Sequence, residues 1–241
     1  MNKLVVRDCV FKQGSFQLKH INLTLTSGDI LGLMGLSGAG KSTFIKGLIG
    51  ELSLTSGTVS LIKNNKSFQL RTNVGYSPQQ NSLYSHLTVE ENILLFGRLL
   101  SVNKSALKRR MNWLLSRLDL NGARHKRVTQ LSGGMAKRVD IVVSLIHNPD
   151  VVIFDEPFNG IDVSLQLFVW DIISYLSKEG KIVIISSHLL SDLAKHCSQL
   201  GLVHEGTFYD DFRIRLSLKE SGLHNLESFL HALFLGNRGL A

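Results

Sequence analysis

Gly35-Leu36-Ser37-Gly38-Ala39-Gly40-Lys41-Ser42-Thr43 fits the pattern G-x-x-x-x-G-K-[ST]. The chemistry of that pattern is the holding of a phosphate chain. Its glycines let the backbone curl until successive N–H groups face phosphate oxygens. A helix starting at Lys41 adds the partial positive charge of its N-terminus. Lys41 can reach β- and γ-phosphates, and the Ser42 hydroxyl can bind Mg²⁺. An acidic element complements this basic one. The apolar run Val151-Val152-Ile153-Phe154 ends in Asp155-Glu156. Asp155 suits the holding of Mg²⁺ from the opposite side, and Glu156, projecting the other way, suits the activation of a water.

A third element, Leu131-Ser132-Gly133-Gly134-Met135, precedes an apolar helical stretch. Ser132 is a good N-cap, Gly133 and Gly134 permit close backbone approach, and the helix N-terminus attracts anions.

Such groups need strands and helices to place them. Residues 30–34 read as the strand before the phosphate loop and residues 41–49 as the helix after it. Residues 4–6, 23–25, 58–62 and 68–76 read as further strands. Residues 151–154 and 182–185 are β-branched, apolar runs of the kind buried on both faces of a parallel sheet. Residues 89–116 carry a helical period. Thr88 with Glu91 forms a capping box, and Asn103 or Ser105 can cap the next helix. Leu107, Met111, Leu114, Leu115 and Leu118 make an apolar stripe for packing. Strands alternating with helices predict an α/β core with parallel strands and a helical insertion near its middle.

Composition bounds the rest. With 241 residues, 44% apolar and 19% charged, the chain is neither disordered, collagen-like nor a disulfide scaffold. Cys9 and Cys197 have no metal-ligand spacing, so a reduced cytosolic protein is expected. The start, MNKLVVRDCVF, has no leader-like apolar run, and no run approaches the ~20 residues of a spanning helix. The net charge of +8 and isoelectric point near 9.6 admit nucleic acid, a membrane surface or a phosphorylated ligand. The excess is local: between Arg98 and Arg138 eleven Lys or Arg stand against one acid, Asp119. That face is either solvated or suited to acidic loops and anionic headgroups.

Taken together, the motifs resemble those of the ATPase subunit of an ABC transporter. Leu131 to Gly134 resembles the family's signature segment, which caps a helix aimed at the γ-phosphate held by a second protomer. Tyr76-Ser77-Pro78-Gln79 resembles the Q-loop, Asn159-Gly160-Ile161-Asp162 the D-loop, and Ser186-Ser187-His188 the switch segment. The resemblance runs from about residue 4 to about residue 206, with the motifs in family order. Residues 225–230, Asn-Leu-Glu-Ser-Phe-Leu, look like the closing segment of type-2 ABC exporter ATPases. Leu226, Phe229, Leu230, Leu233 and Phe234 there form an apolar stripe, expected to pack on this domain or its dimer mate rather than on a membrane.

The resemblance implies one ABC ATPase domain over residues 1–241. Its fold would be α/β, a RecA-like P-loop NTPase core with a mainly parallel sheet, an antiparallel β subdomain and an inserted helical subdomain at about 85–138. A short helical tail would occupy about 221–241. ATP and Mg²⁺ are the implied cofactors. Gly35 to Thr43, with Ser132, Gly133, Gly134 and Asp162, would bind nucleotide, and Ser42, Gln79 and Asp155 would hold Mg²⁺. Glu156, His188, Gln79 and Lys41 would carry catalysis. The implied partners are transmembrane permease subunits and a second copy of the chain or a homologous ATPase subunit. The place would be the cytoplasmic side of the cell membrane, peripherally. The implied output is transport in the direction of export; the alternative is a soluble ABC-type ATPase acting on nucleic acid or ribosomes, although no direct nucleic acid is expected. Three positions depart from the family. Gln13 stands where an aromatic stacks on adenine, leaving Phe11 or Phe16 for that role, with a place in the core as the alternative for Phe11. The D-loop runs from Phe158 to Val163, where the family often has Thr or Ser first and Pro last. Asp140 stands where a small residue is usual, with Arg138 or another cation as its expected partner.

Overall fold

The computed structural model describes residues 1–223 and 225–235. The strands are β1 (Lys3–Gln13), β2 (Phe16–Thr26), β3 (Ile30–Met34), β4 (Leu54–Lys63), β5 (Lys66–Phe68), β6 (Val74–Ser77), β7 (Val151–Phe154), β8 (Ile182–Ser186), β9 (Gln199–His204) and β10 (Thr207–Tyr209). They form one curled sheet in the order β5-β4-β1-β2-β10-β9-β3-β8-β7-β6. One end is antiparallel: β1 pairs with β2 and β4, and β4 with β5. The other is parallel, running β9-β3-β8-β7-β6. β10 joins the halves, antiparallel to β9 and parallel to β2.

The helices are α1 (Lys41–Leu48), α2 (Val89–Leu99), α3 (Lys104–Arg117), α4 (Gly133–Leu145), α5 (Val163–Lys178), α6 (Leu190–His196), α7 (Asp211–Ser221) and α8 (Leu226–Phe234). Successive residues of the parallel strands go to opposite faces, and both faces are covered. Leu31, Leu33, Val151, Ile153, Ile182 and Ile184 pack with Phe44, Ile45 and Leu48 of α1 and with the antiparallel strands. Met34, Val152, Phe154, Val183 and Ile185 pack beneath α4 and α5 on the other side. Every residue of β3, β7 and β8 is buried, so the ends of these strands are fixed points for whatever they carry.

Several boundaries differ from those read in the sequence. β1 and β2 are longer than residues 4–6 and 23–25. Register shifts between Val6 and Cys9 and between Cys9 and Phe11, with Asp8 at φ 47° and His20 at φ 58°, interrupt the alternation that marks a strand. The run 68–76 is not one strand: β5 ends at Phe68, a single 3₁₀ turn spans Leu70–Thr72, and β6 begins at Val74. Residues 89–116 divide into α2 and α3 around Leu100 to Asn103. Thr88 and Glu91 form the expected capping box of α2, and Asn103 caps α3.

The tail helix α8 buries Phe229, Leu230 and Leu233 against the same core as α6 and α7, so its stripe is spent on packing within the chain. Of the expected tail at 221–241, residues 224 and 236–241 lie outside the described residues.

The basic cluster is partly built in. Arg110 Nε donates to the Leu145 carbonyl at 2.8 Å, and Arg117 lies over the Tyr175 ring. Arg124 grips Glu90, Lys137 is buried, and Arg138 lies over Phe168, 3.6 Å from Asp119. Arg98, Lys104, Lys108, Arg109, Lys126 and Arg127 are exposed. Among the described residues no helix is long and apolar enough to cross a membrane.

Candidate functional site

β3 delivers the chain to the loop 35–40, and α1 carries it away. At Gly35, φ is +150° and an added Cβ would stand 2.5 Å from the Val203 carbonyl oxygen. At Gly40, φ is +114° and a Cβ would meet the tip of the Phe16 ring at 2.7 Å. Only glycine tolerates both demands. Gly40 also makes no side-chain cap to α1, so the first N–H groups of that helix stay free of a side-chain acceptor.

A cavity of about 350 Å³ opens over this loop. Leu36, Ser37, Gly38, Gly40, Lys41, Ser42 and Thr43 line one wall. Gln79, Asp155, Glu156, Asn159 and His188 line the other. Gly35 and Ala39 belong to the same loop without facing the cavity.

The charged groups in it hold one another. Lys41 Nζ donates to the Gly35 carbonyl at 2.8 Å and the Leu36 carbonyl at 3.3 Å, and stands 3.6 Å from Glu156 Oε1. His188 Nδ1 lies 3.1 Å from Glu156 Oε2. Both Lys41 and Glu156 are mostly enclosed, whereas the His188 side chain is 62% exposed.

Asp155 is held from three directions. Ser186 Oγ–H donates to its Oδ1 at 2.6 Å, Tyr76 O–H reaches its Oδ2 at 3.4 Å, and its own N–H donates to the Ser77 carbonyl at 2.9 Å. Burial, with the Asp155 charge beside it, raises the Tyr76 hydroxyl well above its ordinary pKa, so it keeps its proton and donates. Ser186 Oγ also accepts the Glu156 N–H at 2.7 Å. Glu156 has φ 45°, a costly conformation for a residue with a side chain. One buried hydroxyl thus fixes both the carboxylate of Asp155 and the backbone from which Glu156 projects. Tyr76 and Ser186 stand in the segments that resemble the Q-loop and the switch, but the sequence gives neither a role of its own. Their part here comes from the contacts with Asp155 and Glu156.

The remaining expected residues lie elsewhere. Ser132 caps α4, its Oγ accepting the Met135 N–H at 3.2 Å, and Ser132 and Gly133 are exposed, with open space where a Gly133 side chain would go. Asp162 caps α5 by accepting the Leu165 N–H at 2.9 Å. Neither group lines the cavity of its own chain. Phe11 corrects an expectation. It is fully buried, its ring so close over Gly47 that an added Cβ would lie 2.5 Å away, and no face of it is offered to a base. Phe16 is half-buried beside Gly40, and Gln13 instead accepts the Thr43 Oγ1–H at 3.1 Å. Asp140 does not pair with Arg138. Its neighbours are Lys137, at 3.9 Å, and Ser77.

The family model described as ABC transporter matches residues 18–159. An ABC transporter ATP-binding protein of Methanocaldococcus jannaschii is 33% identical over 189 residues, covering 78% of this chain and 69% of that one. The ABC transporter ATP-binding protein NatA of Bacillus subtilis is 29% identical, over 78% of each chain. The Nod factor export ATP-binding protein I of Burkholderia lata is 32% identical, over 77% of this chain and 62% of its own length. Among solved structures, an ATP-binding subunit of an ABC transporter superposes with a TM-score of 0.83 at 26% identity, over 96% of this chain and 99% of that one. The ADP conformation of an ATP-binding cassette gives 0.74 at 23% identity, over 87% and 90%.

Proposed function

The chain belongs to the ABC transporter ATP-binding family, whose ATPase activity is coupled to transport, and from that premise we propose a role for each group in the cavity. ATP lies with its phosphates on the loop 35–40 and the α1 N-terminus. The observation that carries this reading is the convergence of Lys41, Asp155, Glu156 and His188 on one cavity, within the distances given above.

The hydroxyl of Ser42, the carboxylate of Asp155 and the amide oxygen of Gln79 form an all-oxygen donor set on that cavity, the kind that suits Mg²⁺. Bound there, Mg²⁺ supplies charge neutralisation to the β- and γ-phosphates. Lys41 exchanges the Gly35 and Leu36 carbonyls for phosphate oxygens as the anion arrives, and in doing so leaves Glu156. The carboxylate so released accepts the proton of the attacking water. His188, largely exposed before nucleotide arrives, turns towards the γ-phosphate. Ser186 keeps Asp155 and Glu156 in place throughout, so little reorganisation remains for the chemical step.

The exposed Ser132-Gly133-Gly134 turn completes the site of a second copy of the chain, or of a homologous ATPase subunit, in a head-to-tail dimer. ABC ATP-binding subunits work with transmembrane components. We assign contact with them, on the cytoplasmic side of the membrane, to the helical segment of about 85–138 and its exposed cations. The relatives named for Nod factor export favour export.

Substituting Glu156→Gln tests the assignment. ATP turnover should fall at least ~100-fold, while ATP still binds and dimers accumulate. Undiminished turnover would remove Glu156 from the role of base.

A further inference from the structure

Two ionisable side chains outside the cavity are buried and take no part in the chemistry above. Lys137 and Asp140 lie one turn apart on α4, at 8% and 3% exposure. Apart from each other, their partners lie between Ser77, the last residue of β6, and Ser82 in the loop that follows. The Ser77 hydroxyl donates to Asp140 Oδ2, and the Ser82 N–H donates to Asp140 Oδ1 at 3.4 Å. Lys137 Nζ donates to the Pro78 carbonyl at 2.9 Å and stands 3.9 Å from Asp140 Oδ2. The loop is therefore fastened before and after Gln79, the residue that reaches the cavity.

A buried ion pair is a poor way to fill space. Apolar residues of similar volume often stabilise as well or better, and a lost partner leaves a costly unpaired charge. A small residue at position 140 would leave the Ser77 hydroxyl and the Ser82 N–H without these bonds. We propose that Asp140, seconded by Lys137, is a positioning residue that fixes the Gln79 loop to α4 and so sets where the Gln79 side chain stands in the cavity. The proposal rests on the reading of that cavity as the ATP site. Because α4 begins at the Ser132-Gly133-Gly134 turn, one rigid helix then carries both the exposed turn and the anchor of Gln79, and a shift of either moves the other.

The test is a double-mutant cycle on the ATPase activity of the full chain, with kcat and KM for ATP measured separately. Asp140→Ala should lower kcat ~10-fold and leave KM within ~2-fold, as should Gln79→Ala. The double variant should turn over no more than ~2-fold below the slower single one, because both remove the same contribution. Asp140→Asn keeps an acceptor oxygen for the Ser82 N–H and turns its NH2 onto the Ser77 hydroxyl, which can accept as well as donate, so turnover should return to within ~3-fold of the parent. Should Asp140→Ala fail to fold around its stranded lysine, Lys137→Met with Asp140→Leu removes both charges and should show the same loss of kcat. Multiplying losses, ~100-fold in the double variant, would mean that Asp140 does not act through Gln79 and would overturn the proposal. So would the parent's rate in the neutral pair. Glu156→Gln, assayed alongside, separates the two levels: if it turns over normally, the reading of the cavity fails, and if it is inert while the cycle is multiplicative, only the role of Asp140 does.

Discussion

At the phosphate end of the cavity, Lys41, Asp155 and Glu156 are each held by other groups of the fold. Lys41 is tied to two carbonyls, Asp155 to Ser186 and Tyr76, and Glu156 to Ser186 through its backbone. Where the sequence places the base, Phe11 is sealed in the core, Gln13 is turned onto Thr43, and half-buried Phe16 remains. Both regions abut the same helix, α1. They differ because phosphate recognition needs directed donors at fixed spacing, whereas stacking on a base needs only an apolar face at the rim. The first is built from the interior outward and tolerates little change. The second can be met by more than one side chain.

The contrast breaks most visibly at Gly35. A methyl there, at φ +150° and 2.5 Å from the Val203 oxygen, should displace the loop and lower ATP turnover by ~100-fold or more. A Gly35→Ala chain that hydrolyses ATP normally would show that the phosphate end is not rigid. Phe11→Ala comes next. It should cost about 3–5 kcal/mol of stability in denaturant unfolding, while the folded protein keeps its KM for ATP within ~2-fold. A selective loss of ATP affinity there would return Phe11 to the base. Ser186→Ala removes the one hydroxyl shared by Asp155 and Glu156 and should lower kcat ~10-fold with a small change in KM. Phe16→Ala should have the smallest effect, ~3-fold weaker binding of ATP with inorganic tripolyphosphate unaffected. Equal weakening of both ligands would move Phe16 from the base to the phosphate loop.

The same difference decides what could be read in advance. The phosphate loop, Asp155-Glu156 and Ser132-Gly133-Gly134 are short contiguous segments whose chemistry forces their spacing, and all but the last face one cavity. Phe11 could not be placed, because the bulge around Asp8 shifts which face of β1 each later residue takes. The roles of Ser186 and Asp140 are not legible for another reason. Their meaning lies in partners 31 and 63 residues away, Asp155 and Ser77, which only strand pairing and helix packing bring near. The sequence marks Asp140 as out of place on α4 and points to Arg138 or another nearby cation. The cation is Lys137 rather than Arg138, and the loop it serves lies across the packing interface.

β3, from which the phosphate loop springs, is paired on one side with β8 and on the other with β9. Its first residue, Ile30, donates its N–H to Ser198 Oγ, 168 residues downstream. A ribosome takes roughly 10–30 s to cover that stretch. The loop is made at the start of that interval without walls, since Asp155, Glu156 and His188 follow late in it and Val203 after it. Nucleotide capture therefore waits until β8 and β9 have been made. A nascent chain, however good its phosphate-loop sequence, spends no ATP before the strands that brace the loop have emerged.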